Sequence, residues 1–148
     1  MKTTTLFLTI FIFVTSMPAQ VFDREQALEV ATITQLMVPN SKIFSVSNTG
    51  SMKPMIDEQC LVVVVYDAFE TINVHDVIVY FSSEIHRNVI HRVMEKRSDG
   101  KLWTLGDNNK RPDNEFVTRK NYVGKVCTVV YYHGDSIPSG LVVSMNSR

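Results

Sequence analysis

The run Leu61-Val62-Val63-Val64-Val65-Tyr66 limits the possible folds more than any other stretch of the chain. Valine branches at Cβ, which crowds the preceding turn of a helix but packs well on a pleated surface. A short, continuous apolar run with no polar alternation reads as a strand buried on both faces. The same signal recurs at residues 43–46, 77–81, 89–93, 102–105 and 122–132. Ser98-Asp99-Gly100 supplies a hairpin turn between two of these runs, and Gly124 is placed to make a bulge in the last. Many short strands separated by turns predict a mainly β fold, a compact coiled β-sheet or barrel-like domain.

Residues 23–37 read differently. Asp23 can cap a helix, Leu28, Ala31, Ile33 and Leu36 recur near helical spacing, and Pro39-Asn40 end it. The apolar stripe of this helix is expected to pack on the domain or to lie against a membrane surface. Before it, Met1-Lys2 precede an uncharged run with an apolar heart at residues 6–14. Such a run is a signal peptide or an uncleaved anchor, with a buried core helix as the third reading. Cleavage after Ala19 would put bulky Met17 two places upstream, beside Pro18, which favours the anchor. Lys2 then keeps the N-terminus cytoplasmic and places the chain from Asp23 onward on the exported side. The expected organisation is therefore anchor or signal segment over 1–22, helix and linker over 23–40, and one domain over 41–148. The apolar group at residues 141–143 is too short for a second span.

A chain of 148 residues has room for one sizeable core. Fifteen basic residues balance fifteen acidic ones, which leaves nucleic-acid binding without support. Cys60 and Cys127 fit no metal-ligand spacing, so neither a metal nor a cofactor is expected. In an oxidising compartment the two cysteines could pair.

The chemistry concentrates elsewhere. In Thr49-Gly50-Ser51-Met52-Lys53-Pro54, Gly50 lets the backbone approach a ligand and Pro54 turns the chain away. The serine is either part of a plain turn or a nucleophile, and a nucleophile needs a base beside it. Of the four histidines, His75, His86 and His133 adjoin polar or turn-like residues and read as surface groups. His91 lies inside an apolar strand, as a structural residue or as the base. Gly106-Asp107-Asn108-Asn109, followed by Asp113, is an Asx-rich turn or the source of a carboxylate that orients an imidazole.

Taken together, Thr49-Gly50-Ser51-Met52-Lys53-Pro54, Val77-Ile78-Val79-Tyr80, Ile90-His91-Arg92-Val93 and Gly106-Asp107-Asn108-Asn109 with Asp113 resemble the type I signal peptidases. Order and spacing are most similar to the archaeal and endoplasmic-reticulum branch, from residue 43 to about residue 130. The resemblance implies a signal-peptidase domain and a serine endopeptidase that removes signal peptides from exported preproteins at the membrane surface. It implies Ser51 as nucleophile, His91 as general base, Asp113 as orienting acid, and Asp107 in support or sharing that role. Thr49, Gly50, Met52 and Pro54 fall to the oxyanion and substrate-binding group, with the Ser51 amide and Thr49 hydroxyl facing the oxyanion. The chain departs from the family in carrying Thr49 for its usual serine and His75-Asp76 for its common Gly-Asp. Two other readings stand beside this one. One is a dedicated or self-processing peptidase of related fold, which would use a Ser–Lys pair through Lys53. The other is an inactive module that binds exported peptides.

Overall fold

The valine-rich run becomes β2 (Cys60–Val65), the second strand of a six-stranded antiparallel sheet. The structure, a computed structural model, describes residues 22–133. Its other strands are β1 (Ser41–Ser45), β3 (Val77–Ser82), β4 (Arg87–Lys96), β5 (Leu102–Leu105) and β6 (Tyr122–Tyr131). The order across the sheet is β1-β2-β6-β3-β4-β5. One α-helix, α1 (Arg24–Met37), and a single 3-10 turn (Phe69–Thr71) complete a mainly β architecture among the described residues. The N-terminal apolar run and the tail after His133 lie outside them. Among the described residues no helix is long and apolar enough to cross a membrane.

Both faces of β2 are covered, as its lack of alternation requires. Leu61 and Val63 pack with Ala27 and Ala31 of α1 and with Val130 of β6. Cys60, Val62 and Val64 face the other way, against Phe44, Met52, Ile56 and Val79. Burying each such aliphatic side chain contributes about 1.5–3 kcal/mol, so this strand anchors both layers. Cys60 and Cys127 are both free thiols, and each Sγ donates to a backbone carbonyl, of Asp57 and Val63 respectively.

Helix α1 starts at a capping box. Asp23 Oδ1 accepts from the Gln26 amide at 2.9 Å, and Gln26 Oε1 accepts from the Asp23 amide at 3.1 Å. Ala27 and Ala31 let the helix sit close on the sheet. The expected stripe is corrected here: Leu28 and Ala31 turn inward, whereas Ile33 and Leu36 are 58% and 82% exposed. At about 100° per residue, positions 33 and 36 fall on the far side from Ala27 and Ala31.

Strand β6 carries two register shifts, one against β2 between Val63 and Val64 and one against β3 between Val79 and Tyr80. Gly124 sits between them. A Cβ there would come within 2.7 Å of the Val65 carbonyl, so the close approach of β2 needs glycine. Bulges increase the local twist and coil a sheet. The outcome is that the loop leaving β1, at one edge, reaches the loop leaving β5, at the other. The Asn108 amide donates to the Ser51 carbonyl at 2.8 Å, and Asn108 Nδ2 donates to the Gly50 carbonyl at 3.0 Å.

Candidate active site

Side chains on a strand alternate between faces, and this rule positions His91. Val89, His91 and Val93 share one face of β4, the face that packs on Ile78, Tyr80 and Leu102. The imidazole is therefore carried inward, 6% exposed, in a row of apolar neighbours. Asp113 comes to it from the loop after β5. That loop is held by paired bonds: the Asp113 amide donates to the Thr104 carbonyl at 3.0 Å, and Trp103 Nε1 donates to the Asp113 carbonyl at 3.2 Å.

His91 Nδ1 lies 2.9 Å from Asp113 Oδ1 and 2.8 Å from Oδ2. Tyr80 and Thr104 also donate their hydroxyls to Oδ2, at 2.9 and 2.5 Å. Burial pushes the Asp113 carboxyl upward, but the bonds from His91, Thr104 and Tyr80 outweigh it and hold the group below the usual aspartate range. Burial, and then the Asp113 charge, push the Tyr80 phenol well up, so it stays a donor. An ionised Asp113 accepts the proton on Nδ1, which leaves the lone pair of Nε2 free on the opposite edge of the ring.

That edge faces the serine turn. Gly50 adopts φ 69°, a left-handed value that glycine tolerates, and the Lys53 amide donates to the Gly50 carbonyl at 3.3 Å. The Ser51 and Thr49 hydroxyls are 3.2 Å apart, and the Ser51 amide meets Thr49 Oγ1 only at a long 3.5 Å. Gly106 separates serine from histidine. A Cβ on it would stand 2.6 Å from the Ser51 carbonyl oxygen and 2.8 Å from His91 Nε2. Only glycine allows both groups to close on that point. Ser51, His91, Asp113 and Thr49 line one cleft of about 520 Å³, walled on its other sides by β1 and the first half of β4.

The structure thus gathers Ser51, His91, Asp113 and Thr49. The other expected site residues are arranged differently. Asp107 is turned away from the imidazole, because Arg92 Nε and Nη2 take both of its oxygens at 2.8 and 2.7 Å. Met52 touches the cleft but is a core residue, 3% exposed, whose Sδ accepts from the Asp107 amide at 3.4 Å. Pro54 lies outside the cleft and lines a separate depression with Tyr131 and Asp57. Gly50 serves through its carbonyl, as an acceptor for Asn108. His75, His86 and His133 are exposed. Sequence reasoning assigned no role to Gly106, Tyr80, Thr104 or Arg92. Three of these sit inside the quoted motifs, where their only signal was adjacency to His91, Asp107 or a strand end. No protein-family model matches the chain, and no curated protein matches its sequence. The site must therefore speak through its own geometry.

Proposed function

We propose that the chain is a serine endopeptidase of the type I signal peptidase kind, with Ser51 as nucleophile, His91 as general base and Asp113 as its orienting acid. The observation that carries the reading is the His91–Asp113 pair, nearly buried, in a cleft it shares with Ser51. In this mechanism Ser51 attacks a peptide carbonyl and gives its proton to Nε2 of His91. Asp113 stabilises the imidazolium, and the proton is then returned to the departing amine. The Ser51 amide and Thr49 hydroxyl, which lie together at the serine turn, are the proposed donors to the developing oxyanion.

The cleft walls support an extended peptide as substrate. Phe44 and Ser45 belong to the edge strand β1, Val46 follows them, and β5 pairs with β4 only from Arg92 onward. Among the described residues, positions 87–91 of β4 therefore have a strand partner on the β3 side alone. A peptide strand lying between these edges gains backbone hydrogen bonds, while alternate side chains enter the apolar floor. The proposed substrates are signal peptides of exported preproteins, met at a membrane through the N-terminal apolar run. The catalytic domain then lies on the exported side. The competing Ser–Lys reading is disfavoured because Lys53 Nζ pairs with Glu58 Oε2 at 3.6 Å.

The test is incubation with a detergent-solubilised preprotein and mass analysis of the products. A single cut after the signal segment is expected, and Ser51→Ala should reduce it by roughly a million-fold while leaving the fold intact. Cleavage by Ser51→Ala at the parental rate rejects the assignment. A preprotein left whole by a parent that a serine-reactive phosphonate labels at Ser51 keeps the enzyme and rejects the substrate.

A further inference from the structure

Neighbouring residues on a strand point to opposite faces, so Arg92 leaves β4 on the side away from His91. There it makes a two-pronged ion pair with Asp107, and its Nη1 donates to the His75 carbonyl at 2.9 Å. The two charged side chains are only 26% and 18% exposed. From Asp107 onward, two backbone amides and one side-chain amide grip the serine turn. The Asp107 amide bonds Met52 Sδ, the Asn108 amide bonds the Ser51 carbonyl, and Asn108 Nδ2 bonds the Gly50 carbonyl.

Resting on the reading of Ser51 as nucleophile, we infer that the Arg92–Asp107 pair is a strut that positions Ser51, and that Asp107 acts on the serine turn rather than on the imidazole. Asp107 is thus a positioning residue. A planar guanidinium fixes a carboxylate in both distance and angle, and through the loop it fixes where the Ser51 carbonyl, and hence its Oγ, must stand. Asp113 and Asp107 divide their work across β4: one aligns the base from within the core, the other aligns the nucleophile from the opposite face.

The test compares the parent with Asp107→Asn, Arg92→Gln and the double variant. Hydrogen exchange of the Asn108 amide reads the strut directly, without any need for activity. Each single change is expected to speed that exchange at least tenfold, and the double change to add nothing further. Labelling of Ser51 by a serine-reactive phosphonate should slow by up to about 100-fold, the scale of an ångström of misplacement, with an unaltered pH profile. Where a variant does not fold, Arg92→Lys keeps the charge, loses the fork and is measured instead. Unchanged Asn108 exchange, or fully additive effects, overturns the strut. A shifted pH profile with Asp107→Asn also overturns it, by returning that residue to the imidazole. A parent that never labels at Ser51 rejects the nucleophile, and the exchange data still decide whether the pair braces the turn.

Discussion

His91 Nδ1 stands 2.8 Å from Asp113 Oδ2, although 22 positions separate the two residues in the chain. The bond joins the middle of β4 to a loop with no regular structure, and Tyr80 and Thr104 close on the same oxygen. Three donors on one half-buried carboxylate make it an anchor for the fold as well as for the imidazole.

Replacing Asp113 with Asn tests both roles. A carboxyl whose pKa is lower in the folded chain than in the unfolded one binds fewer protons in the native state. Its stabilisation is therefore complete above the ordinary value of 3.8 and is lost as pH falls through the lower folded value. Asp113→Asn should lower stability by about 1–3 kcal/mol at pH 7, since its donors lose a charged acceptor. The gap to the parent should narrow in thermal unfolding below about pH 4. Turnover should fall by roughly 10⁴-fold, as a misdirected imidazole requires. A gap that stays constant from pH 7 to pH 2 rejects the charged role of Asp113.

Gly106→Ala should disable the site without altering any group that does chemistry. The new Cβ would meet a backbone carbonyl at 2.6 Å and the His91 ring at 2.8 Å, and neither can move freely. Overpacking of this kind costs about 1–3 kcal/mol, and here it pushes the serine turn and the imidazole apart. Gly100→Ala is the control: its φ of 80° strains any other residue, but nothing lies within 4 Å of the added carbon. Both variants should lose stability in urea denaturation, and only Gly106→Ala should lose phosphonate labelling.

The strands were legible in the sequence because β-branched runs and turn residues act locally. All six strand-sized runs found strands, and Asp23 caps the helix as its side chain allows. The ends of the helix stripe were misjudged, since spacing alone does not say which face the sheet will cover. Ser51, His91 and Asp113 could be named from motifs, but their sharing of one cleft depends on how the β6 bulges coil the sheet, a property of pairing rather than of any residue. The split between Asp107 and Asp113 was illegible for a related reason. It depends on which face of β4 each partner occupies, and Arg92 was read only as the neighbour of His91.

His75 occupies a left-handed conformation, φ 78°, while its amide donates to the Val93 carbonyl at 2.8 Å. A side chain there costs about 1–2 kcal/mol, and glycine gives back part of that gain through its more flexible unfolded state. His75→Gly should therefore stabilise the domain by roughly 0.5 kcal/mol. Urea denaturation at fixed slope measures it. A loss of stability would mean that the imidazole makes a contact worth more than the strain.

The choice of base yields the last prediction. A lysine base must reach the serine hydroxyl uncharged, with its proton-accepting nitrogen in hydrogen-bond range. Lys53 is only two residues from Ser51, and its side chain, 43% exposed, extends its ammonium to Glu58 at the protein surface. His91 has the reverse arrangement: buried, held on one nitrogen by Asp113, and close to the serine turn on the other across Gly106. Lys53→Met should then keep labelling and cleavage within about twofold of the parent, because an exposed ion pair contributes at most ~1 kcal/mol to the fold. His91→Ala should lose activity on the scale of the Ser51→Ala variant, since members of one catalytic unit fail together. Combining His91→Ala with Ser51→Ala should cost little beyond either single change. Should Lys53→Met abolish labelling while His91→Ala retains it, the proton leaves Ser51 by the lysine, and His91 and Asp113 are only a buried pair that holds β4 to its loop.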